Sequence, residues 1–439
     1  MSKVLVIGGG GREHALTHEM NKSSKVDHIT CAPGNPGTTT LEKAENVPFG
    51  PSDTSDILQL AQSLQDDLTV VIGPEAPLVD GLGDTLREHG ISVFGPNANA
   101  AQLEGSKGFA SDFMTRHGIP QPESIIVRNM EEALNAISDR NPETYVIKAD
   151  GLAGGKGVVL PGTREDAEMT LFSMLSEGSF DRAGENGVVI QERLSGPEVS
   201  VFVISDGQNY SIIPFFAQDH KRLGDGDKGP NTGGMGAYTP VPAAMINDRQ
   251  LEKIQEIAKL TIEGMSSEGT PYQGVLYVGL MLADQYDGDP VVIEYNARFG
   301  DPETQVILTS LTDSGVDVYD MIHGTATGHV PDLGPPQFSG RAALTVCLAA
   351  KGYPEQPEKG VVIHGLDKSY LDVIIHHGGT EQLGNDIVVS GGRVLYITGR
   401  GESVEEAAKA AYAAIGENSI HFDGMQYRTD IGHQARNFK

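Results

Sequence analysis

Val4-Leu5-Val6-Ile7-Gly8-Gly9-Gly10-Gly11-Arg12-Glu13-His14-Ala15-Leu16 opens the chain and decides how its first third is read. Four apolar residues suffice for a buried strand, four glycines permit a tight turn, and residues 12–22 read as a helix. The same rhythm recurs over the next eighty residues. Short apolar strands fall at 28–31, 68–72 and 92–94, with helices over 55–65 and 81–89 between them. Strand–helix alternation of this kind implies a parallel sheet with helices on both faces.

From about residue 105 the rhythm changes. Strands are expected at 123–127, 145–148 and 157–160, with helices near 130–138 and 164–177. Consecutive strands follow at 198–205 and 210–217, after one at 188–193. A glycine-rich loop spans 224–236, and a helix at 248–266 leads into strands at 273–283 and 290–296. Strands and helices in blocks indicate an α+β unit. Residues 331–337 read as a linker. Beyond it lie short strands around 342–349, 361–363, 372–376, 386–389 and 393–398, and a helix at 403–415. The expectation is an α/β and α+β multidomain protein divided as 1–104, 105–330 and 331–439.

With 439 residues, 38% of them hydrophobic, the chain can bury several cores. Sixty acidic against 32 basic residues give a net charge of -28. That balance repels nucleic acid and anionic membranes, so neither is expected as a partner. It repels anionic substrates too, so a phosphate site has to be built locally from Lys, Arg, backbone N–H groups and metal. Two cysteines, Cys31 and Cys347, make no disulfide framework and no zinc spacing. The N-terminal apolar stretch is too short for a signal peptide, and no apolar run approaches a membrane span. A cytoplasmic setting is expected.

Four segments carry chemistry. In the first, a dinucleotide fingerprint fails. Counting G-x-G-x-x-G from Gly8 puts Glu13 at the third glycine, and counting from Gly9 puts His14 there. The second strand also ends Cys31-Ala32-Pro33-Gly34, with no acid for a ribose. The loop can place N–H groups and Arg12 on a phosphate at a helix N-terminus, or it can be a ligand-free tight turn. The second segment, Lys148 to Val158, is not a Walker A loop, because Asp150 and Gly157 stand where Gly and Ser/Thr are needed. It sets two lysines around a glycine hairpin, suited to close over a triphosphate. The alternative is a charged surface hairpin. The third segment, Gln218-Asp219-His220-Lys221-Arg222 and then 228–238, is a long loop mixing acid, base and glycine, which in a compact protein is more often functional. In the fourth, Val291 to Glu303, strand alternation puts Glu294, Asn296 and Arg298 on one face if the strand runs straight. Two oxygen ligands and a cation suit a magnesium-bound nucleotide; a solvated edge strand is the alternative. Ile293 and Tyr295 on the other face favour a packed strand beside a cleft.

Together these segments resemble the ATP-grasp ligases, and specifically the phosphoribosylamine–glycine ligase family. The similarity runs over essentially the whole chain. It includes Gly9 to Leu16, Ala32 to Asn35, Gly73 to Leu78, Gln102 to Lys107, Gln218 to Arg222, 230–238, Glu294 to Glu303 and Arg428-Thr429-Asp430-Ile431-Gly432. The resemblance implies a Rossmann-like N-terminal domain, an ATP-grasp core with a mobile lid at roughly 122–190, and a small C-terminal α+β domain. It implies ATP-dependent ligation of glycine to 5-phosphoribosylamine through glycyl phosphate, with Mg2+ or Mn2+, in purine biosynthesis. Its partners would be these small molecules, and its state a monomer or small homo-oligomer.

The resemblance also assigns residues. Lys107 and Lys148 look like the phosphate lysines, with Gly154, Gly155 and Lys156 in the lid loop. Gln191, Glu192 and Leu194 would meet adenine, and Glu198 the ribose. Glu294 and Asn296 would hold metal. Arg298, Lys221 and Asp219 would be catalytic. Gly10, Gly11, Arg12, Asn35, Pro74, Glu75, Asp219, Gly234 and Asp301 would face substrate, with Arg12 on the phosphate of phosphoribosylamine and Lys221 and Arg222 as alternatives. Two positions depart from the pattern: Leu282 stands where ATP-grasp enzymes usually carry an acidic metal ligand, and His433 where a Trp is common. Rival readings are an ATP-grasp ligase with another acceptor, a nucleotide-dependent oxidoreductase, and a non-catalytic nucleotide-binding protein. The 218–238 segments, the failed fingerprint and the joint presence of Lys148, Glu294, Asn296 and Arg298 speak against them in turn.

Overall fold

The computed structural model describes residues 2–64, 67–152, 157–176 and 186–436. In the N-terminal unit five parallel strands lie in the order Ala44–Asn46, Val26–Pro33, Ser2–Gly8, Leu68–Ile72, Ser92–Phe94. Val4 to Ile7 are fully buried because the strand is covered on both faces. Val4 and Val6 enter one core and Leu5 and Ile7 another. Strand order reverses between Ser2–Gly8 and Leu68–Ile72, which opens a crevice at their C-terminal ends.

The middle of the chain forms two antiparallel sheets. One runs Tyr210–Ile212, Glu198–Asp206, Gln273–Ala283, Asp289–Asn296, and the other Ser124–Val127, Val188–Glu192, Tyr145–Ala149, Val158–Val159. The strand expected over 210–217 stops at Ile212, since Pro214 has no N–H for the ladder, and Ala217 rejoins Ser200 only as a single bridge. The loop at 224–236 contains a short hairpin, Arg222–Gly224 with Lys228–Asn231.

A fourth sheet runs Gln218–Asp219, Gly236–Thr239, Ala342–Ala349, Arg393–Gly401, Val373–His377. Its first two strands come from the middle of the chain, so the 218–236 segment is built onto the C-terminal sheet. Residues 361–363 do not form a strand; Val362 makes one bridge to Val388. The helices Lys107–His117, Glu303–Asp313 and Val318–Ala326 were not anticipated. Glu303 through Leu311 are buried all round, so that helix shows no amphipathic stripe. No helix among the described residues is long and apolar enough to cross a membrane.

Candidate active site

The cleft between the two middle sheets is built on the strand Asp289–Asn296. Glu294 lies opposite Gly279 and Val292 opposite Leu280, which leaves Ile293 without a cross-strand partner. The Ile293 carbonyl accepts Lys148 Nζ at 3.0 Å. Gly279 keeps space open, because a Cβ there would come within 2.8 Å of Glu294 Cγ. Leu282, at the usual position of an extra acidic ligand, pairs with Pro290 and is buried in the core. Lys221 Nζ bridges Glu198 Oε2 at 2.9 Å and Glu294 Oε1 at 3.2 Å. Lys107 Nζ donates to the Gly151 carbonyl at 2.9 Å. The Asn296 side chain makes no hydrogen bond to any described residue.

Burial pulls Lys148 down to about 8, aided by the like charges of Lys107 and Lys221 and opposed by Glu294. Burial lowers Lys107 as well. Burial also works against Lys221, but Glu198, Glu294 and Asp219 outweigh it and hold that ammonium well above its ordinary range. The Lys221 charge brings Glu294 down to about 2. Burial pushes Asp219 well up, as it does Glu303, whose carboxylate accepts from Ser200 Oγ at 3.3 Å. Three ammonium groups therefore meet in a protein of net charge -28, and two of the nearby acids are biased toward their neutral form. That is a local excess of positive charge suited to a polyphosphate.

Lys221 favours the ionised form of Glu294, and the Asn296 side chain has no hydrogen-bond partner among the described residues, so both fit as oxygen donors to a divalent cation that phosphate oxygens complete. No group of three or more His, Cys, Asp or Glu side chains able to hold a metal occurs among the described residues. Residues 193–197 connect the two sheets. The Leu194 backbone makes no hydrogen bond to a described residue and can meet an adenine edge. Gln191 is turned into its own sheet, donating to Ser124 Oγ at 3.0 Å, and Glu192 accepts from Tyr286 Oη at 2.8 Å. Gly154, Gly155 and Lys156 lie outside the described residues.

A second group gathers where the three units meet. The strand ends at Asn296, so Arg298 does not share the face of Glu294. It sits in the following loop, paired with Glu104 at 2.8 Å and Glu75 at 3.3 Å. Pro74 leads into the short helix that Glu75 begins. Asp301 accepts from Arg393 Nη2 at 3.0 Å and Tyr396 Oη at 3.2 Å. Arg393 also donates to the Gly233 carbonyl. Gly234 packs on Pro302, and Gly11 lies against Tyr396 and Gln305. Arg393, Tyr396, Glu104 and Glu303 are site residues that the sequence reading does not name; Glu104 and Glu303 stand inside segments it singles out, Arg393 and Tyr396 do not.

The N-terminal glycine loop has a different explanation. Glu13 accepts from the Gly10 N–H at 2.7 Å and from Arg12 Nε at 2.6 Å, and Arg12 Nη1 also reaches the Phe299 carbonyl at 3.2 Å. A Cβ at Gly8 or Gly73 would strike the Glu13 side chain, at 2.6 Å and 2.0 Å. These glycines make room for a buried carboxylate. Asn35 is likewise committed to structure, donating to the Gly9 and His377 carbonyls at 3.0 and 2.9 Å.

Two antiparallel sheets closing over a lysine–glutamate cleft, behind a Rossmann-like unit, define the ATP-grasp class. Models of phosphoribosylglycinamide synthetase match the chain with its N domain over 2–104, its ATP-grasp (A) domain over 105–304 and its C domain over 343–434. The chain belongs to the phosphoribosylglycinamide synthetase family. It is 44% identical over 434 residues to the phosphoribosylamine--glycine ligase of Xylella fastidiosa (strain Temecula1), covering 99% of this chain and 98% of that one. It is 45% identical over 436 residues to that of Escherichia coli O157:H7, with 99% and 98% covered. A crystal structure of phosphoribosylamine--glycine ligase from Thermotoga maritima superposes with a TM-score of 0.83 at 36% identity, covering 98% of this chain and 100% of that one. A biotin carboxylase from Campylobacter jejuni shares the fold, with a TM-score of 0.71 at 15% identity and 100% and 94% covered.

Proposed function

We propose that the protein joins glycine to 5-phosphoribosylamine at the expense of ATP, giving glycinamide ribonucleotide, ADP and phosphate. The observation that carries this reading is the ion pair of Lys221 with Glu294, with Lys148 on the adjoining Ile293 carbonyl and Lys107 near enough to feel the Glu294 charge, within a family whose named relatives are phosphoribosylamine--glycine ligases. ATP lies between the two middle sheets. The glycine carboxylate attacks the γ-phosphorus, the β–γ bond breaks, and glycyl phosphate forms. The amine of phosphoribosylamine then attacks the acyl carbon and phosphate leaves. No protein nucleophile is needed; the chain positions the reactants and stabilises charge. A divalent cation, Mg2+ or Mn2+, held by Glu294 and Asn296 would neutralise phosphate oxygens there. Lys148 and Lys107 bind phosphate, and Lys221 holds charge between Glu198 and Glu294.

The units 1–104, 105–330 and 331–439 divide the work: the middle one binds ATP, and its edge with the other two binds the acceptor. Phosphoribosylamine lies near Gly10, Gly11, Arg12, Glu75, Arg298, Gly234 and Asp301, with Arg12 on its phosphate. Support comes from position: Arg12 and Arg298 both line the N-terminal crevice, and although Glu13 takes Arg12 Nε and the Phe299 carbonyl one Nη1 N–H, the remaining guanidinium N–H groups of Arg12 can meet a phosphate. The test is phosphate release from ATP. Release that needs both glycine and phosphoribosylamine is expected; release indifferent to the amine, or satisfied by another acceptor, overturns the reading.

A further inference from the structure

The segment Arg428-Thr429-Asp430-Ile431-Gly432 lies outside the cleft and has no part in the chemistry above, yet it holds the loop that delivers Asp219 and Lys221. The Arg428 side chain is fully buried. Its Nε and Nη2 donate to the two oxygens of Asp430 at 2.7 and 2.8 Å, and its Nη1 donates to Asp227 Oδ1 at 2.7 Å and to the Arg222 carbonyl at 3.3 Å. Asp430 accepts in turn from the Gly226 N–H at 2.8 Å. The Thr429 N–H donates to Asp225 Oδ1 at 2.9 Å. The tip of the hairpin 222–231 is thus closed onto the C-terminal segment through both side chain and backbone.

The closure continues to the base of the hairpin. His220, between Asp219 and Lys221, is buried, and its Nε2 accepts from the Gly432 N–H at 3.2 Å. Its ring also faces His433, 5.5 Å between centroids. Ile431 fills the space beside Gly236, where a Cβ would come within 2.7 Å of it. The Lys221 carbonyl accepts from the Thr232 N–H at 2.7 Å and from Thr232 Oγ1 at 2.9 Å, so the returning strand pins the lysine's own backbone. Asp227, at the hairpin turn, has φ of 55°, a left-handed conformation that aspartate tolerates, and its carboxylate is reached by His433 Nε2 at 3.4 Å as well as by Arg428.

We propose that Arg428 is a positioning residue, fixing the 219–231 segment through Asp227 and Asp430 so that Lys221 keeps its place between Glu198 and Glu294. The contacts stand by themselves; their consequence for turnover rests on the ligase reading. A long lysine gains little from reaching two carboxylates unless its backbone is already set, because freedom at the Cα is magnified at Nζ.

The test compares Arg428→Met, Arg428→Lys and Asp227→Asn in the full chain by amide hydrogen exchange, melting temperature and steady-state kinetics. Asp227→Asn is included because it takes away the carboxylate charge that pairs with Arg428 at the hairpin tip without emptying a buried site. In Arg428→Met and Asp227→Asn, amides over 219–231 should exchange at least about tenfold faster while the N-terminal sheet is unchanged. Turnover per folded molecule should fall at least about tenfold, with the KM for glycine moving much less. Arg428→Lys should recover part of the loss, since an ammonium can serve one of the two aspartates. Adding Lys221→Met to Asp227→Asn should cost less than the product of the two separate losses. Unchanged exchange over 219–231 in Asp227→Asn, or turnover that follows the folded fraction alone, overturns the proposal. If the wild-type protein releases no phosphate with glycine and phosphoribosylamine, the ligase reading fails, and hydrogen exchange still decides whether the clamp exists.

Discussion

The glycine loop 8–11 and the cleft around Lys148 can both be read as phosphate sites, and the structure treats them differently. In the loop the charges close on themselves. Glu13 takes the Gly10 N–H and the Arg12 guanidinium, and the glycines fit around its side chain. In the cleft the charges close only in part, at Lys221 between Glu198 and Glu294. Lys107 and Lys148 donate only to carbonyls among the contacts described, and Lys148 is held down to about 8 by burial and by its neighbours. A run of glycines shows that something approaches the backbone; buried lysines paired only with carbonyls make the cleft a candidate for an anionic ligand.

The largest effect expected is in the cleft. Glu294→Gln should leave the fold intact and lower turnover by a factor of about 10² or more, through loss of a charge contact to metal and transition state. Near-normal turnover at limiting Mg2+ would remove Glu294 from the metal site. The comparison is sharpened next at Arg12. Arg12→Ala should raise the KM for phosphoribosylamine by at most the equivalent of about 1.5–3 kcal/mol and leave that for ATP nearly unchanged. If neither moves and only stability falls, the loop is wholly structural; if the ATP or glycine value moves alone, Lys221 and Arg222 become the phosphate candidates.

Gly73→Ala probes the steric half of the contrast. Its Cβ would lie 2.0 Å from Glu13 Oε1, and overpacking of this kind costs about 1–3 kcal/mol. A melting temperature equal to that of the unaltered protein would show that the Glu13 side chain can swing aside. The smallest effect at neutral pH concerns Lys148. Its folded pKa of about 8 lies below the ordinary 10.5, so its charge is present below pH 8 and lost above it. The KM for ATP should be flat up to about pH 8 and climb beyond, and Lys148→Arg should flatten that climb. The stability of the ligand-free protein should run the other way. Burying a charged Lys148 is unfavourable below pH 8, and the strain is relieved as pH rises from 8 toward 10.5. A KM for ATP that stays flat to pH 10 would take the Lys148 charge out of nucleotide binding.

Much of this was legible in the chain before folding. Val4 to Ile7 announce a strand covered on both faces, and a spacing of two puts Glu294 and Asn296 on one face of another. Such patterns depend on near neighbours, so composition and periodicity suffice to locate them, and the family motifs add the chemistry. What the tertiary structure alone decided is how the charges are paired. Ile293 is left out of its ladder and offers its carbonyl to Lys148; Arg298 leaves the face of Glu294 for Glu75 and Glu104; the strands 218–219 and 236–239 join a sheet made by the last third of the chain; Arg428 closes on Asp227. Each links residues far apart in sequence, and whether a buried ion keeps its charge depends on which partner arrives there. No local pattern records that partner, because only the packing of the four large sheets brings it within reach.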